Sequence, residues 1–215
     1  MRKRPPISRN CILRFSLYKK AIYRFKEGGL ARITSSQLAE AVGVTPVQVR
    51  KDFSFFRIEG NKRGGYPLDR LLQSIKVIFR KHEVIKTVIV GAGNLGSAFM
   101  KYRGFEKEGF GISAAFDVDP SKCARKKGVP ILPFSRLKTY VRKNRIKIGI
   151  IAVPDACAQR VLDTLVEAGI EGVLNFAPAF LRYPEDKVIV SHVNVEQELE
   201  NLAYFVHLRR GAGRS

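Results

Sequence analysis

Three glycines spaced as G-x-G-x-x-G mark a place in this sequence where phosphate groups are expected to bind. They stand in the run Gly91-Ala92-Gly93-Asn94-Leu95-Gly96, which follows an apolar stretch at residues 87–90 and precedes a helical pattern from Ser97 to about Tyr102. Between a strand and a helix, the first glycine allows a tight turn, the second lets a pyrophosphate approach the backbone, and the third lets the helix pack on the strand. Free N–H groups at the helix N-terminus then attract the phosphates. This run therefore predicts a dinucleotide site.

An aspartate follows the next predicted strand at the distance that this chemistry needs. Residues 111–116 form an apolar run that ends at Asp117, 21 residues after Gly96. A carboxylate there accepts hydrogen bonds from the adenosine ribose and repels a 2′-phosphate, so it favours NAD(H) over NADP(H). Asp119 is a second candidate for this role, although an acid before Pro120 also fits a simple turn.

The remainder of the second half alternates strand and helix patterns. Further strands are predicted at residues 129–132, 147–153, 172–175 and 188–192, with helical segments between most of them. This alternation is typical of an α/β fold with a doubly wound, Rossmann-like parallel sheet. Because such sheets bind ligands at the carboxyl ends of their strands, we expect further cofactor contacts from Ala152, Val153, Pro154 and Asn175.

The sequence offers no clear acid or base for catalysis on such a cofactor. The three histidines, at 82, 192 and 207, lie apart and have no partner motif. Tyr183 and Lys187 have the Tyr-x-x-x-Lys spacing of short-chain dehydrogenases, but they lie in the predicted loop Tyr-Pro-Glu-Asp-Lys. That chemistry needs the two side chains one helical turn apart, so we interpret the match as chance and predict that the protein is not an enzyme.

Residues 1–83 show a different pattern, that of short helices separated by glycine turns. Capping residues begin two of these helices at Thr34 and Thr45, and Gly43 lies between them. Thr34 forms a capping box with the glutamine three residues later, and Thr45 is followed by a proline, which favours the first helical position. Two short helices around a tight turn predict a helix-turn-helix, for which an ordinary three-helix bundle is the alternative.

The second of these helices has one apolar stripe and one polar face. Val49, Phe53 and Phe56 are expected to face the core, and the rest of the circumference carries amide, hydroxyl and basic groups that can read base edges and hold phosphates in the major groove. The basic hairpin at residues 59–66 is a candidate wing. The expected DNA contacts are Thr45, Pro46, Gln48, Arg50, Lys51, Ser54, Lys62 and Arg63, with Arg50 and Lys51 at phosphates.

The charge distribution favours a nucleic-acid partner. The chain of 215 residues has a formal net charge of +20, and residues 1–83 alone hold 19 Lys and Arg against 6 Asp and Glu. A small basic segment beside a less basic α/β segment indicates an anionic polymer as partner. A generally basic surface is the alternative, and charge alone does not separate DNA from RNA or from a membrane surface.

Cysteine usage and hydropathy indicate the compartment. Cys11, Cys123 and Cys157 are odd in number and widely spaced, which suits a reducing cytoplasm and forms no metal or redox motif. The longest strongly apolar stretch, near residues 148–153, is far too short to span a bilayer, and no apolar signal core follows the basic N-terminus. We therefore expect a cytoplasmic protein without a membrane-spanning helix or a bound metal.

Both halves together resemble one family, the Rex redox-sensing transcriptional repressors, from about Pro6 to Phe205. In the first half, the resemblance lies in Ile33-Thr34-Ser35-Ser36-Gln37-Leu38-Ala39, in Val44-Thr45-Pro46-Val47-Gln48-Val49-Arg50-Lys51-Asp52-Phe53-Ser54-Phe55-Phe56 and in Gly65-Tyr66. In the second half, it lies in Val90-Gly91-Ala92-Gly93-Asn94-Leu95-Gly96, Tyr102-Arg103-Gly104-Phe105, Gly109-Phe110, Phe116-Asp117-Val118-Asp119-Pro120, Ile151-Ala152-Val153-Pro154 and Leu174-Asn175-Phe176-Ala177-Pro178.

The resemblance implies a fold, a ligand and a partner. It implies a winged-helix DNA-binding domain at residues 1–83, a Rossmann domain at 84–193 that senses NADH against NAD⁺, and a C-terminal dimerisation helix and tail at 194–215. The helix, at roughly 194–208, would swap into the partner of a homodimer. In the family, NADH closes the dimer and releases a palindromic double-stranded operator. Such a ligand biases two quaternary states through its different affinity for them.

The resemblance also implies an interlock between parts of the dimer, and here the sequence departs from the family. The family's interlock joins an arginine matching Arg14, a tyrosine matching Tyr102 and an aspartate where this chain has Asn194. Asn194 keeps a hydrogen-bonding group but not the charge, and it also fits a simple helix N-cap. Two other departures are Phe15-Ser16 in place of a Leu-Pro pair, and Arg57 in place of a glycine.

Two other functions remain compatible with the sequence. One is a small NAD-dependent oxidoreductase with a basic accessory domain. The other is a module that binds CoA or another nucleotide, because the glycine motif recognises phosphates and not the nicotinamide.

Overall fold

The computed structural model describes residues 7–61, 64–79, 84–123 and 128–212. The chain separates into two compact units, Met1–Glu83 and Val84–Ser215, each of which has its own buried apolar residues. Lys62 and Arg63, which we expect in the wing, and His82 lie outside the described residues.

The first unit combines four described helices with a two-stranded antiparallel sheet. Its elements are α1 (Arg9–Glu27), β1 (Arg32–Ile33), α2 (Ser35–Val42), α3 (Pro46–Phe55), β2 (Tyr66–Pro67) and α4 (Leu68–Ile78). In the sheet, Arg32 pairs with Pro67 and Ile33 with Tyr66. Helices α2 and α3 form the predicted helix-turn-helix, and an isolated bridge between Asn61 and Gly65 begins the predicted hairpin.

The helix starts of this unit follow the capping residues that the sequence provides. The Thr34 hydroxyl accepts the Gln37 N–H at 3.2 Å, and the Gln37 side chain accepts the Thr34 N–H at 2.9 Å, which confirms the capping box. The Thr45 hydroxyl accepts the N–H of Gln48 at 3.1 Å and caps α3. Helix α4 was not predicted, although leucines at helical spacing after Pro67 indicate it.

An aromatic cluster in the first unit determines which face of α3 is inward. Val49 and Phe53 on α3 are fully buried, and the Phe53 ring packs against Phe15 and Tyr18 from α1. Phe56 packs edge-on against Phe15 with ring centroids 4.8 Å apart. The predicted inner stripe is confirmed, and the opposite face of α3 is left at the surface.

The second unit is a doubly wound α/β structure. Its elements are β3 (Ile85–Val90), α5 (Asn94–Lys101), α6 (Gly104–Lys107), β4 (Phe110–Asp117), β5 (Ile131–Pro133), α7 (Leu137–Asn144), β6 (Ile148–Ile151), α8 (Asp155–Ala168), β7 (Gly172–Asn175), β8 (Ile189–His192) and α9 (Val195–Ala212). The six strands are parallel in the order β5-β4-β3-β6-β7-β8, which confirms the predicted fold class.

The strand order creates a crevice at one edge of this sheet. From β3 the chain adds strands first on one side and then, from β6, on the other, so that the connections after β3 and β6 diverge. Ligands of such sheets bind at this switch point, outside the carboxyl ends of the strands. Helix α5 begins at Asn94, three residues before the predicted start, because Gly93 acts as its N-cap.

The last helix, α9, buries none of its described side chains. Every side chain from residue 195 to 209 is exposed, including large apolar ones. These are Val195, Leu199, Leu202, Tyr204, Phe205, Val206 and Leu208. None of the helices in the described ranges is long and apolar enough to cross a membrane.

Candidate nucleotide cleft and DNA-binding helix

The three motif glycines are each required for a different reason. Gly91 has φ +103°, and a Cβ there would overlap the carbonyl oxygen of Ala152. A Cβ on Gly96 would overlap the carbonyl oxygen of Gly91. A Cβ on Gly93 would meet no atom within 4 Å, so the space in front of its backbone is open. Gly91 and Gly96 therefore close the turn, and Gly93 leaves open space in front of its backbone.

The N-terminus of α5 is available to an anion. Gly93 is the N-cap and has no side chain, so no side-chain hydrogen bond caps this helix. Asn94 and Leu95 follow in the first turn, where backbone N–H groups have no partner within the helix. Together with the helix dipole, these donors favour a phosphate at this point.

Asp117 lies beside the glycine turn, where the sequence places it, but its carboxylate already has partners. Oδ2 accepts the N–H of Ala92 at 2.8 Å, and Oδ1 accepts the N–H of Asp119 at 2.9 Å. The Lys122 Nζ lies 3.4 Å from Oδ2. Burial alone would raise the pKa of Asp117, but these hydrogen bonds outweigh it and hold the pKa below its usual value. The carboxylate therefore also holds the glycine turn in place.

Asp119 adopts the turn role that we considered as its alternative. Its Oδ1 accepts both the N–H of Ser121 at 2.9 Å and the Ser121 hydroxyl at 2.7 Å. The hydrogen bonds from Ser121 lower the pKa of Asp119. Among the described residues, the Asp119 side chain makes no hydrogen bond to the glycine turn. Its backbone N–H donates to Asp117.

The ends of β6 and β7 bring the other expected cofactor residues to the same edge of the sheet. The Ala152 N–H donates to Val90 at 2.8 Å, Val153 lies against Gly91, and Pro154 precedes α8. Asn175 is fully buried at the end of β7. The sheet therefore places Ala152, Val153, Pro154 and Asn175 as the sequence predicts.

Asn175 has a structural role that the sequence analysis missed. Its Oδ1 accepts the N–H of Ala177 at 3.0 Å and its Nδ2 donates to the Ala177 carbonyl, also at 3.0 Å. The same Nδ2 lies 3.1 Å from Nδ1 of His192. The side chain thus folds the loop after β7 and links it to the end of β8.

Four further residues can be located individually. Tyr102 ends α5, and its exposed ring packs edge-on against Phe105. The Oδ1 of Asn194 accepts the N–H of Gln197 at 3.1 Å, so Asn194 is the N-cap of α9. Tyr183 and Lys187 lie in a non-helical segment, as predicted, and so do not share one turn of a helix.

In the first unit, the outer face of α3 carries three of the expected DNA contacts, Arg50, Lys51 and Ser54. Val47, Arg50, Lys51, Ser54 and Phe55 line an open depression on this face. Arg50 donates to the Ser35 hydroxyl at 3.2 Å, which joins α3 to α2. Thr45 and Pro46 form the start of α3.

Gln48 differs from the other expected DNA contacts. It is half-buried, and its Nε2 donates to Oδ1 of Asp52 at 2.9 Å. Its amide is therefore engaged within the unit and not extended from the outer face.

Asp52 is the centre of a buried polar cluster that the sequence analysis did not detect. Its side chain is 4% exposed. Arg14 donates through Nε at 2.6 Å and through its terminal nitrogen at 2.7 Å, and the Tyr18 hydroxyl donates at 2.8 Å. Because Arg14 and Tyr18 belong to α1, this cluster ties α3 to α1.

The ionisation of this cluster is coupled. Burial alone would raise the pKa of Asp52, but the hydrogen bonds from Arg14, Tyr18 and Gln48 outweigh it and hold the pKa below its usual value. Burial, with the hydrogen bond to Asp52, raises the pKa of the Tyr18 hydroxyl. The hydrogen bond to Asp52 raises the pKa of the Arg14 guanidinium. The cluster is therefore an ion pair of Arg14 and Asp52 at neutral pH.

Comparison with known proteins relates both units of the chain to one family. One family model, described as "CoA binding domain", matches residues 82–179, and another, described as "Putative DNA-binding protein N-terminus", matches residues 6–54. The redox-sensing transcriptional repressor Rex of Carboxydothermus hydrogenoformans is 43% identical over 194 residues, which cover 90% of this chain and 93% of that protein. This chain belongs to the Rex family.

Solved structures of the Rex family match the whole length of the chain. The crystal structure of RSP in complex with β-NAD⁺ and operator DNA has a TM-score of 0.89 and 30% identity, and the match covers 99% of this chain and 100% of that chain. The crystal structure of RSP in complex with β-NADH has a TM-score of 0.85 and 31% identity, with coverage of 98% and 99%. The resemblance predicted from the sequence is confirmed.

Proposed function

We propose that this protein is a DNA-binding transcriptional repressor that senses the NADH/NAD⁺ ratio, and that NADH lowers its affinity for the operator. The observation that carries this proposal is the match, over 99% of this chain, to a Rex-family repressor solved with β-NAD⁺ and operator DNA. The relatives are named as transcriptional repressors and not as enzymes. We propose that this protein acts in the cytoplasm, as the sequence predicts.

The nucleotide binds at the glycine turn and the neighbouring strand ends. The open backbone at Gly93 and the uncapped start of α5 receive the pyrophosphate, and Asp117 takes the ribose. Because Oδ2 already accepts the Ala92 N–H and the Lys122 ammonium, whereas Oδ1 accepts only the Asp119 N–H, the remaining lone pair of Oδ1 takes a ribose hydroxyl. The complete set of cofactor contacts is Gly91, Ala92, Gly93, Asn94, Leu95, Gly96, Asp117, Ala152, Val153, Pro154 and Asn175.

The outer face of α3 enters the major groove. Arg50 and Lys51 are exposed cations suited to phosphates, and Ser54 offers a hydroxyl to either a base or a phosphate. Gln48 reaches a base only if its amide leaves Asp52, so its contribution to binding is smaller than that of the exposed residues. The remaining contacts are Thr45, Pro46, Lys62 and Arg63.

Helix α9 supports a homodimer. Its apolar residues lie on more than one side, since Leu199 and Leu202 share a face that Tyr204 and Leu208 do not. A helix that is apolar on several sides is normally buried on several sides, and a second copy of the chain provides the missing surface. Arg14, Tyr102 and Asn194 are our candidates for coupling the nucleotide to the arrangement of this dimer.

Fluorescence anisotropy tests the proposal directly. A labelled duplex recovered by the full-length protein from a random-sequence pool is bound at fixed salt, and NADH or NAD⁺ is then added to the complex. We expect release by NADH and retention with NAD⁺. Tight binding that neither nucleotide changes would reject redox sensing while leaving DNA binding intact.

A second candidate ligand follows from the family model that covers residues 82–179. Its description as a CoA binding domain keeps CoA as an alternative occupant of the same glycine turn. Competition among NADH, NAD⁺, NADPH and CoA for the free protein separates the two. Displacement of NADH by CoA at similar concentration would favour the alternative.

A further inference from the structure

Five helices of this chain end in the same backbone turn. At the ends of α1, α2, α3, α7 and α8, the N–H of a residue with positive φ donates to the carbonyl three residues earlier, and the N–H of the next residue donates to the carbonyl five residues before it. This pair of hydrogen bonds defines the Schellman motif. The residues with positive φ are Gly29, Gly43, Arg57, Arg145 and Gly169.

Arginine is the unexpected residue at this position. The left-handed region brings the Cβ close to a carbonyl oxygen, so glycine is favoured there and other residues are strained. Arg57 has φ 57° and Arg145 has φ 52°. Both arginine side chains are exposed, and each is followed by an isoleucine that packs in the apolar core of its own unit. The two turns therefore have the same geometry but belong to different units of the chain.

Arg57 lies at the end of the DNA-binding helix. Its N–H donates to the Ser54 carbonyl at 3.0 Å, which places its backbone directly over the last turn of α3. Within the described ranges, its guanidinium has no hydrogen-bond or ion-pair partner. Arg57 thus extends the row of exposed cations that begins with Arg50 and Lys51.

The exposed charges on α3 are of one sign, and Glu59, two residues after Arg57, is the next acid along the chain. The only acid within α3 is Asp52, and its carboxylate is buried and paired with Arg14. The exposed surface from Val47 to Arg57 is therefore cationic without a compensating acid. Such a surface attracts a polyanion, and an unpartnered guanidinium is well suited to a phosphate oxygen.

We propose that Arg57 is a DNA phosphate contact, kept in a strained backbone conformation for the sake of its side chain. This inference rests on the proposed function, because it requires that α3 face DNA. Strain of this kind is concentrated at functional sites, although a well-packed turn can also hold it. Arg145, in the same turn of the other unit, serves as the structural control.

Three single substitutions separate the backbone effect from the charge effect. Arg57→Gly relieves the strain and removes the charge, Arg57→Gln removes the charge and keeps the strain, and Arg145→Gly relieves the same strain elsewhere. Each full-length variant is melted by calorimetry. Each is also titrated by fluorescence anisotropy with the selected duplex and with a scrambled one, over a range of salt concentrations.

We expect opposite changes in stability and binding for Arg57→Gly. Its melting temperature rises by a few degrees, while its affinity for both duplexes falls and the slope of log K against log salt decreases by about one unit per protomer. Arg57→Gln shows the same loss of binding without the rise in melting temperature. Arg145→Gly shows the rise with unchanged binding.

Two results would overturn the proposal, and they are distinguishable. If the Arg57 variants keep the wild-type salt slope on both duplexes, Arg57 is a helix cap and not a phosphate contact. If the wild-type protein binds neither duplex, the proposed function fails and this inference fails with it.

Discussion

At the residue scale, Asp52 shows how a buried charge can orient a binding surface. Four side chains, Arg14, Tyr18, Gln48 and Asp52, satisfy one another between α1 and α3. Removing one partner of a buried pair leaves the other charge without compensation, which costs more than the pair contributes by forming. The orientation of α3 therefore depends on this carboxylate being ionised.

Replacing Asp52 by Asn tests this dependence through pH. Because the folded-state pKa of Asp52 is lowered, its stabilisation is present above the unfolded-state pKa, about 3.9, and is lost as pH falls through the lower folded-state value. We expect Asp52→Asn to lower the free energy of unfolding by about 2–4 kcal/mol at pH 7. The difference from wild type should shrink below about pH 4 in urea titrations.

Asp69→Asn is the matched control for this experiment. Asp69 pairs with Lys26 at 2.6 Å, but its side chain is 81% exposed. Exposed pairs contribute about 0–1 kcal/mol, so the variant should remain close to wild type at every pH. A constant gap between Asp52→Asn and wild type down to acid pH would contradict the ionic role of Asp52.

Asp117 and Asp119 can be separated by their effect on nucleotide binding. Asp117→Ala removes both the predicted ribose ligand and the acceptor of the Ala92 N–H, so NADH affinity should fall more than tenfold while DNA binding is retained. Asp119→Ala alters only the local turn and should change NADH affinity less than threefold. Isothermal titration of both variants measures this, and equal loss of NADH and DNA binding by Asp117→Ala would instead indicate a folding defect.

At the element scale, the outer face of α3 makes a prediction about salt. Lys51→Ala should weaken binding to every duplex and reduce the slope of log K against log salt by about one unit, because one phosphate contact is lost. Lys143→Ala removes the same charge from α7 and should leave the slope unchanged. A slope for Lys51→Ala equal to that of wild type would remove Lys51 from the interface.

Local sequence patterns predicted most of the helices and strands. Contacts between residues far apart in the sequence could not be predicted. The caps at Thr34 and Thr45 and the turn at Gly43 depend on neighbours within a few residues, and so does the glycine motif. The Arg14–Asp52 pair joins residues 38 apart, and Asn175 meets His192 across 17 residues. Asp52 also lies one helical turn after Gln48, which explains why an amide expected on the outer face lies against a buried acid.

At the scale of the whole molecule, α9 implies that stability depends on protein concentration. Leu199 and Leu202 are 61% and 60% exposed in one chain, and in the homodimer that we propose a second chain covers them. Mass action then makes the melting temperature rise with protein concentration. Scanning calorimetry across a hundredfold range of concentration measures this, and a constant melting temperature would argue against an obligate dimer.

Substitutions on α9 can identify which face of the helix forms the proposed dimer interface. The double variant Leu199→Asp and Leu202→Asp should sediment as a monomer. The two charges oppose burial of the face that Leu199 and Leu202 share. His207→Asp adds a negative charge to the polar face of the same helix, which also carries Glu196 and Glu200, and should remain dimeric. A double variant that sediments with the wild-type mass would show that the face shared by Leu199 and Leu202 is not the dimer interface.

The anchoring of α3 from its inner side has a consequence for how operator preference can change in evolution. Val49, Phe53 and Asp52 hold the helix through α1, whereas Arg50 and Ser54 on the outer face contribute little to the core. Substitutions at exposed positions usually change stability by less than about 0.5 kcal/mol. If the outer face of α3 reads DNA as we propose, its residues can change while the fold stays intact. Regulators that share this scaffold could then acquire new operators without compensating mutations in the core.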